Sequence, residues 1–195
     1  LLAKGPHPGT EIAEFNKTFD EIIEFAMLIQ GLNIRSLSPN ELYEGLNHQE
    51  RLVTKTKLWF EEIPADVIGK YRIKELMEIV EKGAKQLERK PRHGDFTPWH
   101  IMKNSHLILF DAEHAVSNGV EYYDIGYYIQ RVFSVLENTE TAEKLLNKLK
   151  DRGYDFEKLQ TVLAARAIGG FLDRSFHEKP NYTKDNEFKD LAVSL

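Results

Sequence analysis

His93-Gly94-Asp95-Phe96-Thr97-Pro98-Trp99-His100 (HGDFTPWH) is the stretch on which the reading of this chain turns. It sets two imidazoles and a carboxylate within eight positions and breaks the local pattern with a proline, in a chain whose remainder reads mostly as amphipathic helix. Just downstream, Ile101-Met102 and Leu107-Ile108-Leu109-Phe110 are apolar, strand-like runs on either side of Asn104-Ser105, a dipeptide suited to a two-residue hairpin turn. With that turn, Ile101 opposes Ile108, His100 opposes Leu109, and Asp111 lands opposite Pro98. The second carboxylate is thereby carried back beside the loop that holds Asp95. Ala112, Glu113 and His114 follow, so acids and imidazoles converge on one rim.

On either side the period is helical. After Thr10, Ile12, Phe15, Phe19, Ile22, Ile23, Phe25, Ala26 and Ile29 recur at helical spacing up to Gly31. Residues 1–10, with two prolines and two glycines, read as loop. Ser38-Pro39 is expected to start a second helix through Leu42, Leu46, Val53 and Phe60, ended by Ile63-Pro64. Ile73, Leu76, Met77, Val80, Ala84 and Leu87 alternate steps of three and four in a third. Helices return after Asn118-Gly119, with Ile125, Tyr128, Ile129, Val132, Phe133 and Leu136 on one face. Two more are expected near Ala142–Lys150 and Phe156–Phe176. No internal repeat is present. The fold class is α+β, predominantly α-helical, in one domain over 1–195, with the small β element at 91–115.

Composition narrows the function. At 195 residues and 42% hydrophobic, the chain can bury a sizeable core. The net charge of −5, with basic residues scattered among acids, leaves no polyanion footprint, so nucleic acid is not an expected partner. The absence of cysteine excludes disulfides and thiolate zinc sites and suits a reducing cytoplasm. No apolar run is long enough to span a bilayer, and Leu1-Leu2-Ala3-Lys4-Gly5-Pro6 is not a secretion signal. A cytoplasmic location without a membrane partner is the expectation.

Two carboxylates beside an exposed loop suit phosphoryl transfer, in which one orients and deprotonates the attacking hydroxyl while the other holds a divalent ion against the phosphates. HGDFTPWH, followed by LILFDAEHA and YYDIGYY, resembles the catalytic region of the aminoglycoside phosphotransferase and choline kinase family, distant relatives of protein kinases. The resemblance covers about residues 92–131. It implies the larger, C-terminal lobe of a protein-kinase-like fold, acting on a hydroxyl group of a small molecule with ATP as co-substrate and Mg²⁺ as the metal. It further implies that Asp95 is the catalytic base, that His93 buttresses the loop, that Asp111 binds the metal and that Asp124 ties down the catalytic loop. Residues 91–115 are then the catalytic loop and metal-binding hairpin. His100 stands where the family pattern has asparagine as a metal ligand. Imidazole suits Mn²⁺ better than the oxygen-seeking Mg²⁺, so the metal preference has shifted or activity has weakened. Glu113 is a further candidate ligand, and a solvated acid is an equal reading.

The family's small N-terminal β lobe, with its nucleotide-covering loop and lysine, has no counterpart here. The chain opens almost directly on helices, with no Gly-Xaa-Gly pair and no Walker lysine motif. The expectation is the C-terminal lobe of a longer kinase, its partner the N-terminal lobe of the same protein, with little ATP affinity or turnover alone. Two other readings stay open: a catalytically retired kinase-like binding module, and a metal-dependent hydrolase built on His93, Asp95, His100 and Asp111. Phe96, Pro98 and Trp99 read as packing that pins the loop. Glu11, Glu14, Asp20, Glu21 and Glu24 could wall a cationic acceptor but read better as a wet helix face, while Asp173 and Arg174 could face an acceptor cleft.

Overall fold

A computed structural model describes residues 12–34 and 43–195, without the side chains of residues 12–17. The fold is α+β and predominantly helical, with eight α-helices and two small antiparallel sheets among the described residues. Its axis is α7, Phe156–Ser175, thirteen of whose residues are buried. A helix apolar all round has to lie inside a bundle. Its small residues, Ala164, Ala165, Ala167, Gly169 and Gly170, let neighbours approach closely, and α2 (His48–Glu62), α4 (Lys74–Gly83), α5 (Tyr123–Gln130) and α8 (Thr183–Ser194) all pack on it. α1 (Ile12–Gln30) lies outside this group and buries Phe19, Ile22, Ile23, Ala26 and Ile29, the face expected from the sequence. α3 is a single short segment, Ala65–Tyr71, and α6 runs Thr139–Asp151.

The third helix follows its pattern, with all six predicted apolar positions buried. The second does not. α2 begins at His48, where Asn47 accepts from the Gln49 and Glu50 amides and Glu50 returns a bond to the Asn47 amide. That reciprocal capping box sets the helix start. Gly45, at φ +81°, lies in a conformation no helix continues through. The expected start at Ser38-Pro39 and the loop at 1–10 lie outside the described residues. α8, which the apolar spacing did not reveal, carries only a weak stripe but buries Phe188 and Ala192 against α7.

The β structure differs more. β2 (Ile101–Lys103) and β3 (Leu107–Leu109) form the expected hairpin, but Ile101 pairs with Leu109 and Met102 with Ile108. The turn holds three residues, Asn104 to His106, closed by the Asn104 amide donating to the His106 carbonyl at 3.1 Å. The one-residue slip from the expected register exchanges the faces of every side chain on one strand. A second sheet pairs β1 (Arg89–Arg92) with β4 (Val116–Val120), carrying the β structure past both ends of the expected 91–115 element. Asn118-Gly119 lies inside β4, and helix resumes at Tyr123. Gly119 faces Lys90, and a Cβ there would stand 2.7 Å from Arg92 Cγ.

α5 is buried along its whole length and continues into a π-helical turn, Arg131–Val135, in which the Leu136 amide reaches the Arg131 carbonyl. The extra residue in that turn re-aims the side chains that follow it, a device common at functional sites. α5 approaches α7 through Gly126, whose added Cβ would sit 2.6 Å from Val162 Cγ1. Gly126→Ala is therefore expected to destabilise the fold by about 1–3 kcal/mol through overpacking, read as a lowered denaturant midpoint with an unchanged slope.

Candidate functional site

The loop between β1 and β2 is held from beneath. Asp124, in the first turn of α5, accepts from the His93 amide at 2.7 Å and from the Gly94 amide at 2.9 Å. Burial pushes its carboxyl upward, against those two amides and the Arg92 charge, which favour the anion. Its side chain is 2% exposed, so these amides are the partners that make the burial tolerable. Gly94, at φ +88°, passes so close to the His114 carbonyl that a Cβ would collide with it. Phe96 is fully buried between Phe25 and Tyr128, with ring centroids at 6.1 and 5.7 Å, and anchors the far side of the loop. Trp99 is half-buried and meets the His100 ring edge-on at 6.4 Å.

On this frame Asp95, His100 and Asp111 come together. His100 Nδ1 lies 3.0 Å from the Asp95 carbonyl oxygen and 3.3 Å from its Oδ2, while Nε2 lies 3.5 Å from Asp111 Oδ2. One ligand atom from each residue falls within 4.8 Å of the others, close enough to share one ion. Phe110 also meets the imidazole edge-on, at 5.6 Å. Asp111 itself sits in the left-handed region at φ 64°, ψ 58°, a conformation aspartate tolerates better than most residues. That kink ends β3 and turns the carboxylate toward the loop.

The other predicted residues are placed as follows. His93 is buried behind the loop, and desolvation pushes its imidazole below the usual histidine range, so it is neutral at pH 7. Glu113 lies outside the three-residue cluster. Its carboxylate is exposed and pairs with His114 Nε2 at 3.5 Å. Asp20, Glu21 and Glu24 are taken up by Lys148, Lys103 and Arg152 and wall no cavity opposite Asp95. Asp173 binds Arg131 at 2.6 Å, and Arg174 binds the buried Asp185 at 2.9 Å.

A cavity of about 210 Å³ opens on Asp95 and Gly94, with neither His100 nor Asp111 in its lining. Its walls come from α2, α5, the π turn and α7: Lys55 and Trp59, Tyr123 and Tyr127, Arg131, and Arg166. Spacing of four joins Lys55 to Trp59 and Tyr123 to Tyr127 and Arg131, but nothing along the chain shows that these two runs and Arg166, on three distant segments, meet at one cavity. Tyr123 is fully buried yet its hydroxyl is lowered to about 7: burial opposes ionisation, and Lys55, Arg166 and Arg92 together outweigh it. The Arg92 guanidinium lies 3.7 Å from the Tyr123 ring centroid, and Arg166 donates to its hydroxyl at 3.2 Å.

The chain matches no family model, and comparison with curated proteins and with solved structures likewise finds no match. Among the described residues no helix is long and apolar enough to cross a membrane. The cation cluster makes a direct prediction. A pH titration of phenolate absorbance is expected to show one tyrosine ionising near pH 7, and Tyr123→Phe is expected to remove that step while leaving the high-pH transition.

Proposed function

We propose that this chain is the C-terminal lobe of an ATP-dependent kinase that phosphorylates a hydroxyl group of a small molecule. The observation that carries the reading is the meeting of Asp95 and Asp111 across His100, on a loop whose backbone is tied to Asp124. Asp95 borders the 210 Å³ cavity, and its carboxylate is placed to orient an acceptor hydroxyl and take its proton. Asp111 is the more exposed of the two carboxylates, at 47% against 21%, and stands on the cluster's other side to hold a divalent ion. The division of labour follows from placement. One acid borders the cavity and the other faces solvent, from which a metal and nucleotide would approach.

The donor set fits a divalent ion with one nitrogen among its ligands. Two carboxylates and an imidazole suit Mn²⁺ better than Mg²⁺, which favours an all-oxygen shell. Such an ion would neutralise charge developing on the transferred phosphoryl group. The wild-type chain is expected to bind Mn²⁺ more tightly than Mg²⁺ in calorimetric titrations, and His100→Asn to narrow or reverse that order. Equal affinities that His100→Asn leaves untouched would count against this donor set.

The His100 geometry also favours a second reading, a retired kinase-like binding module. His100 already reaches Asp95 and Asp111 with its two ring nitrogens, so the cluster is held together without an ion. Turnover decides between the two. In the intact protein, with its nucleotide lobe, Asp95→Asn is expected to lower kcat by about 10²–10⁴-fold while the melting temperature stays nearly unchanged. Unimpaired phosphorylation by that variant would remove Asp95 from the chemistry.

A further inference from the structure

We propose that the cavity beside Asp95 is an anion site, in which Arg166 and Lys55, with Arg131 at its edge, bind the carboxylate or phosphate group of a hydroxyl-bearing acceptor. The word acceptor rests on the kinase reading; the anion site stands on its own geometry.

Arg166 is 3% exposed, and among the described residues it has no carboxylate partner. Among the described residues its one hydrogen bond goes to the Tyr123 hydroxyl, and its Nε has no partner there. Lys55 forms no ion pair among the described residues either, and burial pushes its ammonium below the usual lysine range. A buried cation without a counter-charge is costly, and an apolar residue in its place would pack at less cost. Packing alone therefore does not account for two such groups in one cavity. The internal counter-charge is limited: of the cavity's carboxylates Asp95 is taken up by His100, and the Tyr123 hydroxyl faces Lys55, Arg92 and Arg166 together. Asp173 is engaged by Arg131. A ligand carboxylate or phosphate supplies the missing charge.

The backbone leaves room for it. A Cβ at Gly169 would stand 3.3 Å from Arg166 Cζ and Nη2, so glycine there keeps the guanidinium uncovered. The aromatic walls argue against the opposite charge. A cage for a cationic ligand needs free ring faces. Trp59 already carries Lys55 at 4.8 Å and Arg166 at 5.0 Å, Tyr127 carries Arg166 at 3.6 Å and Arg131 at 4.7 Å, and Tyr123 carries Arg92. The protein's own cations occupy the rings, so an aminosugar or quaternary ammonium would meet like charge.

The test is calorimetric titration of the 195-residue chain at low ionic strength with glycerate, glycerol 3-phosphate, inorganic phosphate, glycerol and choline, each at millimolar concentration. Glycerate or glycerol 3-phosphate is expected to bind, with glycerol and choline silent, and which of the two binds identifies the anionic group. Lys55→Met, which keeps the aliphatic stem, is expected to weaken binding at least ~10-fold, the loss of one charge-assisted hydrogen bond. Arg166→Met is expected to abolish binding, and the thermal melt of Lys55→Met confirms that the site is read in a folded protein. Silence from all three anions, tighter binding of choline, or binding that Lys55→Met leaves unchanged would overturn the proposal. Neither metal nor nucleotide is needed, so the two readings fail separately. Anion binding lost in Lys55→Met alongside unimpaired turnover in Asp95→Asn would keep the anion site and remove the kinase; the converse result would keep the kinase alone.

Discussion

Two hydrogen bonds to one buried carboxylate fix the geometry on which the rest of this site depends. Asp124 receives the amides of His93 and Gly94 at the point where β1 gives way to the loop, and each such bond to a charged acceptor contributes about 1.5–3 kcal/mol. The larger consequence is positional. α5 is buried on every side and packed on α7, so a loop tied to its first turn inherits the rigidity of the core. Phe96 then pins the loop from the other end against Phe25 and Tyr128. Asp95 lies between these two anchors and has little freedom to drift.

The constraint also divides space around Asp95. On one side His100 and Asp111 form an acid and imidazole cluster open to solvent, where the left-handed kink at Asp111 turns its carboxylate inward. On the other is a cavity crowded with cations and aromatic rings. Opposite electrostatic characters thus meet at a single carboxylate. On the proposed kinase reading, the acceptor would enter from the cavity and the phosphoryl donor with its metal from the cluster. The π turn after α5 belongs to this arrangement, since it begins at Arg131 and lets that side chain reach both Tyr127 and Asp173.

What local pattern could carry was legible in the chain. The apolar faces of α1 and α4 follow from 3.6-residue spacing, and Asp95, His100 and Asp111 drew notice because imidazoles and acids beside a proline-broken loop are chemically unusual. Even so, the hairpin register slipped by one residue. The turn is closed by a bond between Asn104 and His106, and turn length is set by backbone geometry that the dipeptide Asn104-Ser105 does not dictate. Neither β1 nor β4 stood out, because Arg89-Lys90-Pro91-Arg92 has no strand-like alternation and exists as a strand only through its distant partner.

By itself, then, the sequence determined which segments bury an apolar face and that two distant acids return to one loop, since periodicity and chain reversal are local properties. Tertiary structure alone decided that Lys55, Arg131 and Arg166 surround one cavity next to Asp95. Those cations lie on three segments far apart in the chain, each flanked by ordinary helical neighbours. The field that pulls the Tyr123 hydroxyl down arises only when packing takes Lys55, Arg166 and Arg92 out of water and brings them together, and no spacing along the chain encodes that event.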